Sequence, residues 1–179
     1  MRLIKFLNED DKIKRHIQPF LNEFGGVYER GNFIWRGHKA ATSTYMVKNV
    51  RTDRKPRLVK TELHEYLGEI GKKIFGWNIR TEGVFTGDKR TAGSYGNIYI
   101  FIPIGKYEYV WTDEKDTVYT YYDLYGTAYE RGDENRMELA KEQLRIHYET
   151  GYHSSGLREH LAQQTGTLAN FEAIFRCDK

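Results

Sequence analysis

The 179-residue chain holds one cysteine, Cys177, and three prolines. A lone cysteine forms no intrachain disulfide and completes no structural zinc site, so a reducing compartment fits best. Long hydrophobic runs are missing. The amino end, MRLIKFLNEDD, breaks at Lys5 and again at its acids, which makes neither a signal-peptide core nor a span of about 20 apolar residues. The expectation is a cytoplasmic protein without a membrane partner. Also missing are a GxxxxGK[ST] phosphate loop, HExxH, GxSxG and the dinucleotide-binding glycine turn. Of the histidines at 16, 38, 64, 147, 153 and 160, only His153 and His160 approach metal-ligand spacing, and no metal is expected.

What is present is a near-neutral, aromatic-rich chain. Lys and Arg number 28 against 25 Asp and Glu, and 15% of residues are aromatic, 14 of them Tyr. Aromatics on this scale supply large buried areas and argue against disorder. The length suits one domain spanning 1–179. Charge is unevenly spread: residues 1–60 carry 14 basic and 6 acidic side chains, a surplus of 8, and the remainder carries a deficit of 5. Five of those cations lie in Arg51–Lys60, which reads either as a solvated loop or as a contact for phosphate.

Apolar spacing predicts helices from Asp10 to Phe24, stopped by Gly25-Gly26; from Thr61 to Gly76; from about Asp133 to Glu149; and a short one after Ser154 or Ser155. Strand signals fall at Asn32–Arg36, Ile79–Thr86, Asn97–Ile104, Tyr107–Trp111, Thr117–Tyr122 and Leu168–Arg176. The nearly continuous apolar run 97–104 suggests a strand covered on both faces. The whole reads as α+β with a mostly antiparallel or mixed sheet.

Three segments look shaped by more than packing. In Phe33–His38 an apolar strand ends in Arg36-Gly37, an arginine that wants an anion or carbonyl beside a glycine that admits close approach, or else a plain strand end and turn. In Thr81–Gly96, Phe85-Thr86-Gly87 leads into Ala92 and Tyr95, hydroxyls and a ring suited to a flat heterocycle, or else a turn-rich surface loop. In Ala169–Arg176, Glu172 stands alone in an apolar strand with Asn170 two residues earlier on the same face. A strand carboxylate of this kind lies at an exposed edge or does chemistry. Glu108, in Lys106–Trp111, is the competing carboxylate.

In this order the three segments resemble the NAD site of the ADP-ribosyltransferase superfamily. The resemblance implies a single α+β domain with a split, mostly antiparallel sheet cradling NAD and flanking helices, and transfer of ADP-ribose to a macromolecular acceptor, protein or nucleic acid, with release of nicotinamide and without metal. It implies that Arg36 holds the NAD phosphates or the nicotinamide-side ribose, and that Gly37 lets the cofactor pack on backbone. Phe85 and Tyr95 would bind the cofactor, Tyr95 by stacking on nicotinamide. Thr86 would orient the catalytic glutamate, and Glu172 would bond the ribose 2′-hydroxyl. Asn170 stands where related enzymes carry the Glu or Gln that engages the acceptor. The rival expectation is a non-catalytic module using the basic amino-terminal third on nucleic acid or protein. A phage-encoded accessory protein, acting in the host cytoplasm, is a third.

Overall fold

The computed structural model describes residues 11–39, 46–50, 52, 56, 59–164 and 170–178. The first helix, α1 (Asp11–Glu29), buries Ile17, Phe20, Phe24, Val27 and Tyr28 along one stripe. It passes through Pro19 and continues past Gly25-Gly26, where the sequence suggested a stop. The reason is tertiary: Val27 and Tyr28 extend the buried stripe, and their packing outweighs the roughly 1 kcal/mol that each helical glycine costs. The helix ends instead at Gly31, whose φ of 88° allows a Schellman closure, with Gly31 N donating to Tyr28 O (3.0 Å) and Asn32 N to Val27 O (3.1 Å).

Helix α2 (Thr61–Phe75) matches its predicted span and stops at left-handed Gly76, although Lys60 rather than Thr61 holds the cap position. Strand β1 (Trp35–His38) follows α1, and β2 (Val84–Gly87) leads into the short α3 (Lys89–Gly93), capped by Asp88. Strands β3 (Asn97–Ile100) and β4 (Tyr107–Thr112) come next. Helix α4 (Lys115–Arg131) occupies the segment in which a strand at Thr117–Tyr122 was expected. Its Thr, Val and Tyr residues favour strands locally, but Val118, Tyr125 and Ala128 fall on one helical face and are buried there. Helix α5 (Glu134–Thr150), capped by Asp133, and α6 (Leu157–Gln163) precede β5 (Glu172–Cys177).

The five strands form one antiparallel sheet in the order β3-β1-β2-β5-β4. The expected split sheet is therefore continuous, yet β1 and β2 meet through a single pair, Trp35↔Gly87. By contrast β2 and β5 share four pairs and β4 and β5 share six. Strand β3 is an edge strand with Asn97 and Ile98 exposed, not the doubly covered strand its apolar run suggested. Its outer position removes the cover that an interior strand would have.

Helices cover both faces. On one, Leu63 and Leu67 of α2, Val118 and Tyr125 of α4, and Leu144 and Tyr148 of α5 pack on Val110 and Ile174 of the sheet. On the other, Phe20 and Phe24 of α1 and Leu157 and Leu161 of α6 pack on Ala173 and Phe175. Strand alternation separates the two cores: Ile174 shares its face with Glu172, and Phe175 with Ala173 and Cys177.

Candidate active site around Glu172

Glu172 opens β5 and pairs with Gly87 on one side and Thr112 on the other, which sets its carboxylate on the α2/α4/α5 face. It is 7% exposed. Oε1 accepts a hydrogen bond from Tyr152 Oη at 2.7 Å, and the Tyr119 hydroxyl lies near enough to favour the ionised carboxylate. Burial holds the Glu172 carboxyl above the usual carboxylate range, and the Tyr152 bond, the charges of Arg80 and Lys115 and the nearby Tyr119 hydroxyl offset that only in part. Tyr119 lies on α4 and its hydroxyl is 3.5 Å from that of Tyr95, which is 40% exposed. The Tyr95 and Tyr119 phenols thus lie in sequence from an exposed ring toward the buried carboxylate.

Tyr95 is fixed by the packing of α3 on β1. A methyl added at Gly37 would lie 2.0 Å from Ala92 O and 2.7 Å from Tyr95 Cβ, so only glycine lets the short helix and the ring lie this close to the strand. Above α3, Asp88 accepts from Thr91 N (2.9 Å) and from Thr91 Oγ1 (2.8 Å), and the buried Lys115 ammonium bonds both Asp88 and Thr91. Burial would raise the Asp88 carboxyl, but the bonds from Lys115 and Thr91 hold it below the ordinary range.

Arg80 completes the cluster. It is 8% exposed, its guanidinium lies over the Phe85 and Tyr122 rings, and Nη1 donates to Tyr122 Oη at 2.9 Å. Tyr122 and Tyr148 hydroxyls are 3.4 Å apart, and the Tyr148 and Tyr152 rings are in contact. Beyond Glu172, the buried His147 ring reaches Thr112 Oγ1 (3.5 Å) and Glu114 (3.3 Å); burial pushes its pKa down.

The other residues expected at the site go elsewhere. Arg36 adjoins Trp35, which pairs with Gly87, so alternation turns Arg36 to the face opposite Glu172. There it donates from Nη1 to Phe85 O at 2.9 Å, tying β1 to β2 where the sheet has one pair. Thr86 pairs with Ala173 on that same face, and its Oγ1 donates to Ala173 O (2.8 Å). It is not among the partners of Glu172. The Phe85 ring is on the Glu172 face, beneath Arg80. Asn170 precedes β5, is exposed, and donates to Asp116 Oδ2 at 3.4 Å, so it does not share a strand face with Glu172. Glu108 is exposed and paired with Arg176 at 3.0 Å. It borders an open groove of about 1140 Å³ that also takes in Glu23, Tyr107 and Tyr109 but none of the Glu172 cluster. The groove's Tyr107 and Tyr109 phenols are shifted upward too, but its carboxylate Glu108 is exposed where Glu172 is buried, which makes the cluster the stronger candidate. Most of Arg51–Lys60 lies outside the described residues; Lys60 itself faces Glu130 at 3.8 Å.

Four functional candidates were not read from the sequence: Arg80, Lys115, Tyr119 and Tyr152. Arg80 sits in a turn, and Tyr119 in a segment whose composition resembles a strand. Among the described residues no group of three or more His, Cys, Asp or Glu is placed to hold a metal ion, and no helix is long and apolar enough to cross a membrane. No family model matches the chain, and neither a curated protein nor a solved structure matches it.

Proposed function

We propose that the protein transfers ADP-ribose from NAD to a macromolecular acceptor, with Glu172 as the carboxylate that acts on the nicotinamide-side ribose. The observation that carries this reading is that Tyr119 neighbours both Tyr95, at 3.5 Å between hydroxyls, and Glu172, which brings together two of the three motifs that resemble the ADP-ribosyltransferase NAD site. Heterolysis of the ribose–nicotinamide bond sends the electron pair to a neutral leaving group and builds positive charge on the ribose. A carboxylate held in a water-poor site stabilises that charge more than it would in water. The acceptor's lone pair then forms the new bond to C1′ and its proton goes to solvent.

On this reading Tyr95, just past the carboxyl end of α3, offers its exposed ring to nicotinamide, and Lys89, at the amino end, lies over the Trp35 ring. Gly87, between Trp35 and Glu172 on one face, leaves no space for a side chain: a methyl there would lie 2.7 Å from Phe171 O, so only glycine lets β2 lie this close to the chain entering β5. Arg36 and Thr86 support the site by bracing the strands.

Purified protein incubated with NAD should release nicotinamide, and Glu172→Gln should lose that release. An enzyme that neither binds NAD nor releases nicotinamide, with Glu172→Gln indistinguishable from it, would sink the proposal. That result supports the second reading, a non-catalytic binding module, which is favoured by Arg36 and Thr86 both being engaged by main-chain carbonyls.

A further inference from the structure

Arg80 is placed by the turn before β2, where Asn78 Oδ1 accepts from the backbone amides of Arg80 and Thr81, each at 3.1 Å. Nε of this guanidinium is buried without a hydrogen-bond partner, and among the described residues no carboxylate forms a direct ion pair with it. A guanidinium keeps its proton at any physiological pH, and a charge in a protein interior needs an opposite one. Burial alone would weaken the hold of Arg80 on its proton, but its surroundings outweigh that and strengthen it; of the groups responsible, Glu172 is the one carboxylate. The cluster's other buried cation, Lys115, is matched by Asp88. That leaves Glu172 for Arg80.

We propose that Arg80 is the positioning residue of the Glu172 site, its guanidinium acting across the Tyr122, Tyr148 and Tyr152 phenols to keep the Glu172 carboxylate ionised and seated against Tyr152. The inference rests on reading Glu172 as the site's carboxylate, but it concerns charge state, which can be measured without NAD. Other groups face Glu172 from every side. From α4 come Tyr119, Tyr122 and Lys115, and from α5 come Tyr148 and, through Thr112, His147; Tyr152 follows α5, and Asp88 acts through Lys115. The phenols are shifted upward and stay neutral near pH 7. Lys115 stays paired. His147 is shifted downward by burial and is likewise neutral there.

The test is carboxyl-carbon NMR on the full chain labelled in glutamate, with the Glu172 resonance assigned by its loss in Glu172→Gln. Wild-type Glu172 should be ionised at pH 7. Arg80→Met should raise its titration midpoint by about one pH unit or more. Arg80→Lys should restore most of the difference. A wild-type Glu172 protonated at pH 7 overturns the inference whether or not any Arg80 variant folds, and so does an unchanged midpoint in folded Arg80→Met. If Arg80→Met does not fold, an ionised Glu172 in both wild type and Arg80→Lys upholds the inference, and a protonated one overturns it. Nicotinamide release on the same samples separates the two readings. An ionised, Arg80-coupled Glu172 without release keeps the inference and sinks NAD cleavage; a protonated Glu172 with release does the reverse.

Discussion

The two faces of the sheet are built from the same strands and differ in kind. Against α1 and α6 the sheet presents Val84, Ala173 and Phe175; of the polar groups on that side, Arg36 and Thr86 bond main-chain carbonyls and the Tyr107 and Tyr109 hydroxyls donate to Glu23 of α1. Against α2, α4 and α5 it presents Glu172 and Thr112 among buried Arg80, Lys115, Asp88 and His147. Replacing a buried ion cluster of this sort by apolar side chains is often neutral or stabilising. A fold that needed only a second core had no reason to keep two cations and two carboxylates there. On the proposed reading, packing belongs to one face and chemistry to the other.

The sharpest separation comes from removing one large group from each face. Phe175 is fully buried against Phe101, Tyr107 and Tyr109, and Phe175→Ala should cost about 3–5 kcal/mol in denaturant unfolding while leaving the ionisation of Glu172 unchanged in the folded fraction. Glu172→Gln should reduce nicotinamide release by roughly 10²–10³-fold, about 3–4 kcal/mol of barrier, while NAD binding followed by tryptophan fluorescence shifts far less. A Phe175→Ala protein that loses release while fully folded would break the comparison.

The chemical face should also betray itself in pH dependence. The folded Asp88 carboxyl is lowered, so its bond to Lys115 contributes stability above the ordinary carboxylate range and loses it as pH falls through the folded value. The folded Glu172 carboxyl is raised, so it has the opposite sign: stability is present below the ordinary range and declines as pH rises through the folded value. Asp88→Asn should cost about 3 kcal/mol at neutral pH and flatten the acid side of the stability curve, measured by urea unfolding between pH 3 and 7, intervals set by the ordinary carboxylate range of about 4. A slope unchanged from wild type would remove Asp88 from the charge balance.

Much of this arrangement was legible in the sequence, for reasons that differ by residue. The periodic burial of Leu63, Leu67 and Ile70 marked α2, and the lone Glu172 in an apolar strand marked a carboxylate that the fold buries, because burial pattern and a costly charge are local facts. Helix α4 was hidden by side chains that favour strands, and with it Tyr119 and Lys115. The faces were hidden as well. Whether Arg36 and Thr86 meet Glu172 depends on the pairs Trp35↔Gly87 and Thr86↔Ala173, and register across strands distant in sequence is not set by any one segment. The short spans of β1 and β2 compounded this, since a shift of one residue exchanges the faces.

Gly37 tests how the chemical face borrows from the strand beneath it. Gly37→Ala should push Ala92 and Tyr95 off β1 and cost roughly 1–3 kcal/mol, with a weaker NAD response as Tyr95 moves; a variant as stable as wild type would show that α3 yields freely.

The smallest effect is the most discriminating. Thr86→Val keeps the shape of the side chain and removes one hydrogen bond, Thr86 Oγ1 to Ala173 O, at a cost of about 1 kcal/mol in unfolding free energy. Because that hydroxyl lies on the face away from Glu172, nicotinamide release per folded molecule should stay within about twofold of wild type, a change of roughly 0.4 kcal/mol in barrier. If release instead falls by the 10²-fold or more that loss of an orienting group near the reaction centre brings, Thr86 serves Glu172 directly. The hydroxyl must then cross from one face to the other during turnover, and the single Trp35↔Gly87 pair between β1 and β2 is where the sheet is weakest and could open to let it.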